Sequence, residues 1–140
     1  MKPAGYSGTP LPKKLGIKPE NRSLLVGPPQ EIAQELRKEL SIDGASPPPS
    51  PLDFVLVFTK SEADLKAKFA KLAGKLHPAG MLWVSWPKKA SGVPTDLTED
   101  VVRKVGVAAG LVDVKVCAID ETWSGLKFVY RLKDRQKNSS

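Results

Sequence analysis

Short apolar runs of strand length alternate along this chain with longer stretches in which apolar residues return every third or fourth position. Ser23-Leu24-Leu25-Val26-Gly27 predicts a short buried strand closed by glycine. Pro28-Pro29 follows, and proline suits a first helical turn, where its missing N–H costs nothing. Ile32, Leu36 and Leu40 mark the apolar face of that helix. Ser41 to Ser50, with Gly44 and Pro47-Pro48-Pro49 and then Pro51, predicts a stiff connector. Asp53-Phe54-Val55-Leu56-Val57-Phe58 reads as a central strand buried on both faces. Ser61 is the expected N-cap of the next helix, with Asp64 three residues on and Leu65, Phe69, Leu72 and Leu76 at helical spacing. Pro78-Ala79-Gly80 is expected to stop that helix, and Met81 to Trp86 to form another strand, stopped by Pro87.

Lys88 to Pro94 reads as a loop. Asp96 and Glu99 fit a capping box, and Val101, Val102, Val105 and Ala109 give the next helix its face before Gly110 ends it. Val112, Val114, Val116 and Ala118 alternate with Asp113, Lys115 and Cys117, a strand expected to be exposed on one side near its start. Asp120 to Gly125 turns the chain. Leu126, Phe128, Tyr130 and Leu132 then alternate with Lys127, Val129 and Arg131 in a final strand. Strand–helix alternation predicts an α/β fold: a three-layer Rossmann-like sandwich, mostly parallel, with a C-terminal antiparallel strand. Residues 1–19, rich in glycine and proline, are expected to be an irregular N-terminal arm. Residues 20–132 are expected to form one α/β domain, and 133–140 a disordered tail.

Composition changes this picture little. The chain of 140 residues is 41% hydrophobic and 26% charged, as in an ordinary single domain. One cysteine, Cys117, and one histidine, His77, exclude an intrachain disulfide and leave too few soft ligands for a tetrahedral zinc site. No metal or cofactor is expected. The apolar runs are too short for a membrane span, and the N-terminus opens no apolar run, so a cytoplasmic protein is expected. The net charge of +7 attracts anions, but the lysines and arginines are spread over the whole chain. Nucleic-acid binding is therefore a third reading, not the favoured one.

The stretch Asp53 to Phe58, the helix after it, and Leu76-His77-Pro78-Ala79-Gly80-Met81-Leu82-Trp83-Val84 resemble the middle of the class I methyltransferase fold. The closing pair of strands resembles its end, and the resemblance implies a truncated version of that topology. It also implies a cofactor site whose residues are missing here. The turn Gly27-Pro28-Pro29-Gln30-Glu31 replaces a glycine-rich loop with two prolines that lack N–H donors. Only Asp43 stands where an acidic residue should close a second strand. The segments Gly5 to Gly16, Trp86-Pro87-Lys88-Lys89, Thr95 to Glu99 and Cys117 to Gly125 resemble a bacterial domain-of-unknown-function family, number 3052. That resemblance implies no activity.

In an open parallel sheet the ligand crevice lies beyond the carboxyl ends of the strands. That rule gathers Gly27-Pro28, Thr59-Lys60, Trp86 to Lys89 and Ile119 to Trp123 on one rim, and the arm with Tyr6 is long enough to fold over it. Lys88 and Lys89 can receive a phosphate or carboxylate, or merely salt-bridge to Asp120 or Glu121. Asp120 and Glu121 can do acid–base work, or serve the turn. Trp86 and Trp123 can stack on a ligand ring or cap the core, and Tyr6 can close the site or anchor the arm. Trp83 belongs to the core, Cys117 is expected to be a buried small hydrophobe, and His77 to sit in a solvated turn that ends a helix. No histidine is placed to activate a serine, so no catalytic residue is assigned. The leading expectation is a non-enzymatic binding or regulatory module working through this rim, with an unknown protein partner. The alternative is an enzyme or binder of a small anionic ligand at the same place.

Overall fold

The computed structural model describes residues 10–40 and 51–131. Tyr6, the Leu40 side chain, the connector 41–50 and the tail 133–140 lie outside the described residues. Among the described residues the α-helices and strands follow in the order α1 (Leu11–Leu15), β1 (Ser23–Val26), α2 (Gln30–Leu40), β2 (Leu52–Phe58), α3 (Glu62–Gly74), β3 (Leu76–Pro87), α4 (Glu99–Ala108), β4 (Leu111–Ala118) and β5 (Trp123–Tyr130), with a short 3-10 helix at Lys89–Ser91 between β3 and α4. They form one five-stranded sheet in the order β1-β2-β3-β5-β4. β1, β2 and β3 are parallel, and β5 runs antiparallel between β3 and β4.

Helices cover both faces, which makes the expected three layers. Val55, Val57, Leu82, Val84, Leu126 and Phe128 share one core with Leu65 and Phe69 of α3 and Val102 of α4. The alternate residues Phe54, Leu56, Phe58 and Trp83 share the other with Leu11 and Leu15 of α1 and Ile32 and Leu36 of α2. β2 and the second half of β3 are buried on both faces, as their unbroken apolar runs require.

Several expectations are corrected. The arm is not irregular throughout. Residues 11–15 are helical, Leu11, Leu15 and Ile17 are buried, and the Trp83 indole N–H donates to the Leu15 carbonyl at 2.9 Å. Gly16, at φ +80°, ends this helix in a conformation that suits glycine. Leu76 does not belong to α3, and Pro78-Ala79-Gly80 does not end it. The helix stops at Gly74, and β3 begins at Leu76. Between the Leu52–Leu76 and Phe54–Met81 pairs the register shifts, so Pro78 sits where the ladder is already interrupted and its missing N–H breaks nothing. His77 is exposed in this irregular strand, its Nδ1 accepting from the Ala79 N–H at 3.0 Å.

Thr98, not Asp96, caps α4, its hydroxyl accepting from the Val101 N–H at 3.2 Å. Ala109 is the C-cap residue instead of part of the apolar face. β4 is buried at its start and exposed in its middle, where Val114 and Val116 are 54% and 51% accessible. It is the sheet edge, and a bulge falls between Asp113 and Lys115. Cys117 is half-buried rather than buried. β5 starts earlier than expected, at Trp123, and so takes Trp123 and Ser124 out of the turn.

Candidate functional site at the carboxyl rim

The parallel strands end together. Gly27, Thr59, Lys88 and Ile119 follow the last residues of β1, β2, β3 and β4. Pro87 pairs with Trp123 and Trp86 with Ser124, and the Lys88 N–H donates to the Thr122 carbonyl at 2.7 Å. The loop after β3 and the β4–β5 turn are therefore one joined piece of rim, holding Trp86, Lys88, Lys89, Asp120, Glu121 and Trp123. In the described part of the arm, Leu15 and Gly16 lie against Trp83 and Met81, and Leu11, Leu15 and Ile17 share a core with Ile119 and Trp123 of the rim.

Among the described residues, two clefts lie at this rim, on either side of the β3–β5 strand ends. The larger, about 670 Å³, is lined by Trp86, Lys88, Lys89, Ser124 and the loop from Gly92 into the start of α4. Trp86 is 5% exposed, so it forms the cleft's wall rather than an open stacking platform. The loop is pinned from across the rim. Thr95 donates its hydroxyl to the Lys60 carbonyl at 2.6 Å, and Asp96 accepts from the Glu62 N–H, at the start of α3, at 2.8 Å. Asp96 thus serves α3 in place of α4, and no sequence spacing announces that role because the two are 34 residues apart.

These bonds decide what the cleft offers a ligand. Asp96 is engaged by a backbone donor, and Glu99 by the Arg103 guanidinium at 2.6 Å. The Ser91, Thr95 and Thr98 hydroxyls all serve the loop or its helix. Lys88 and Lys89 have no ion-pair partner among the described residues, so the alternative of a salt bridge to Asp120 or Glu121 is not realised there. Asp120 does turn chemistry instead. Its Oδ1 accepts from the Thr122 and Trp123 N–H groups, both at 2.8 Å. Glu121 is exposed beside it.

The smaller cleft, about 500 Å³, is lined by Gly27, Pro29, Phe58, Thr59, Lys60, Ser61, Asp64 and Trp123. Trp123 meets Phe58 edge-to-face with centroids 5.1 Å apart. The Thr59 hydroxyl donates to the Asp64 carboxylate at 2.6 Å, and Lys68 pairs with the same oxygen at 3.1 Å. The Thr59 hydrogen bond, ahead of Lys68, holds the Asp64 carboxyl below its ordinary value. Sequence reading missed this pair, although Thr59 and Asp64 flank the Ser61 cap that it found. The described residues contain no group of three histidine, cysteine or acidic side chains fit to hold a metal.

No family model matches the chain, and no curated protein matches it, so the resemblance to the domain-of-unknown-function family gains no support here. Solved structures do match. LepI in its complex with SAM superposes with a TM-score of 0.58 at 12% identity, over 94% of this chain and 49% of its own. The fibrillarin pre-rRNA processing protein of Methanococcus jannaschii gives 0.54 at 11% identity, over 87% of this chain and 69% of its own. The magnesium protoporphyrin IX methyltransferase of Synechocystis PCC 6803 with bound SAM gives 0.50 at 16% identity, over 71% and 53%. This chain spans about half the length of the first and last of these. At such identities the fold alone is shared: the chain has a Rossmann-like α/β sheet of the methyltransferase type, with five strands among the described residues.

Proposed function

We propose that the chain is a binding module on a methyltransferase-like frame, taking a small anionic ligand at the rim beside Trp86, Lys88 and Lys89. The observation that carries this reading is the larger cleft. Among the described residues its two lysines have no carboxylate partner, while both of its own carboxylates are engaged elsewhere. The cleft therefore presents uncompensated positive charge beside an apolar wall of Trp86, Val93 and Leu97. A flat aromatic docking patch for a protein partner finds less support, since Trp86 is buried and Trp123 is packed on Phe58.

Methyl transfer is not part of the proposal. SAM, which LepI and the Synechocystis enzyme bind, does not fit the residues at the corresponding strand ends. Pro28 and Pro29 remove two backbone donors from the turn after β1. β1 is the sheet edge, so among the described residues no strand lies beyond it to carry a ribose-binding acid. Asp43, the one acidic residue of the 41–50 connector, lies outside the described residues.

Thermal shift of the full chain against sugar phosphates, nucleotides and dicarboxylates tests the proposal. A ligand at one hundred times its Kd should add about 2.7 kcal/mol. The shift should vanish in Lys88→Ala/Lys89→Ala, whose ligand-free stability should stay within about 0.5 kcal/mol of the parent. An anion-induced shift that survives both substitutions, or no shift with any of these anions, would refute it.

A further inference from the structure

The larger rim cleft constrains the body of its ligand as well as its charge. Its floor is set by the sheet: Trp86 and Ser124 are direct partners in the β3–β5 ladder, so their side chains share one face. Its wall is the loop after β3, where Val93, Pro94 and Leu97 supply apolar surface. Lys88 and Lys89 supply positive charge where β3 ends and the loop begins. The loop is held at three points. Ser91 donates its hydroxyl to the Lys88 carbonyl at 2.6 Å, Thr95 donates to the Lys60 carbonyl, and Asp96 accepts from the Glu62 N–H. The cleft is therefore preformed, as small-molecule sites usually are.

Few hydrogen-bonding groups are left on that floor and wall. The Thr95 hydroxyl donates to Lys60 and also accepts from the Leu97 N–H at 3.1 Å. The Thr98 hydroxyl accepts from the Val101 N–H. Among the described residues, Ser124 carries the one lining hydroxyl with no hydrogen bond. A sugar body, with a hydroxyl on nearly every carbon, would meet apolar side chains here and leave most of its hydroxyls unpaired. An apolar body would not. The two lysines, without carboxylate partners, suit two negative charges. A phosphate monoester brings up to two on one group, with three acceptor oxygens that separate ammonium donors can share. A dicarboxylate splits the same charge between two ends, and one end would face the apolar wall.

Resting on the anion-binding reading of this cleft, we propose that its ligand is a phosphate monoester with a flat aromatic body, a class that holds both nucleoside monophosphates and sugar-free aryl phosphates. The phosphate lies on Lys88 and Lys89, and the ring against Val93, Pro94 and the accessible part of Trp86. A flat ring buries a large apolar area with few rotatable bonds, which suits a cleft whose loop is already pinned. The volume of about 670 Å³ is that of a site for such a ligand rather than for a bare anion.

Isothermal titration calorimetry of the full chain with naphthyl phosphate, adenosine monophosphate, glucose phosphate and inorganic phosphate, at constant ionic strength, tests this on the parent protein. The two aromatic esters should bind at least about tenfold more tightly than the other two, the factor that burying roughly 50 Å² more apolar surface gives. The tighter of the pair identifies the source, a nucleotide or a sugar-free aryl phosphate. Val93→Asn, which places an amide on the wall, should weaken both aromatic esters about tenfold and leave inorganic phosphate unchanged. Lys88→Ala/Lys89→Ala should abolish binding of all four, and circular dichroism reports the folding of each variant. If glucose phosphate matches the aromatic esters and all binding is lost in the lysine variant, the anion site stands and its preference for an aromatic body is refuted. Unchanged binding of the aromatic esters to folded Val93→Asn would also refute the placement of the ring. No binding of any phosphate overturns the anion-binding reading itself, and this proposal with it.

Discussion

Thr59 links the sheet to the rim. Its N–H donates to the Ser85 carbonyl at 3.0 Å, and its hydroxyl reaches Asp64 at 2.6 Å. The carboxyl of Asp64 is lowered from 3.8 chiefly by that bond. A carboxyl with a depressed folded-state value contributes stability above its unfolded value, and the contribution is lost as pH falls through the folded value. The Asp64 side chain is 40% exposed, so solvent screening keeps the contribution below about 1 kcal/mol. Thr59→Val should move the Asp64 titration up toward 3.8 and remove this acid-side loss of stability. Carboxyl NMR titration of the two proteins reads it directly, and an unmoved Asp64 would contradict the assignment. Trp86, Lys88, Lys89, Asp120, Glu121 and Trp123 stand at the strand ends where the carboxyl-end rule puts them, because that rule needs only strand limits, while Tyr6 lies outside the described residues. The sequence did not reveal their partners. Asp96 on Glu62 and Thr95 on Lys60 join positions more than thirty residues apart, and no local pattern encodes such a contact.

Strands with unbroken apolar runs, β2 above all, were legible, since burial on both faces leaves little choice of residue. Short α1 was not. A five-residue helix is too short to sustain itself, so its formation depends on packing Leu11 and Leu15 under Trp83 rather than on its own sequence. Pro78 and Gly80 disguised the first half of β3, because a strand that tolerates them must be irregular there. The clearest energetic consequence lies in α4. Gly106 is buried, and a Cβ at that position would come within 2.1 Å of the Phe128 ring. Phe128 has little room to retreat, being fully buried and edge-on to Phe69 at 5.3 Å. Gly106→Ala gains about 1 kcal/mol of helix propensity but overpacks this contact. It should therefore destabilise by about 1–3 kcal/mol in urea unfolding. A variant as stable as the parent would show that α4 is free to shift away from the sheet.

Over the whole molecule the sheet shares the methyltransferase-like fold and ends in an antiparallel strand, with β1 at its edge among the described residues. Strand–helix alternation made this architecture readable. The insertion of β5 between β3 and β4 was not, since hairpin length fixes antiparallel pairing but not which strand takes the inner place. The edge position of β1 also bears on function. The rim holds two clefts, while Pro28 and Pro29 in the turn after β1 lack N–H donors and, among the described residues, no strand lies beyond β1. Isothermal titration calorimetry of the full chain with S-adenosylmethionine separates the proposed anion-binding role from cofactor binding. No saturable heat is expected at millimolar ligand, whereas a low-micromolar Kd, about 8 kcal/mol of binding, would overturn the proposed role.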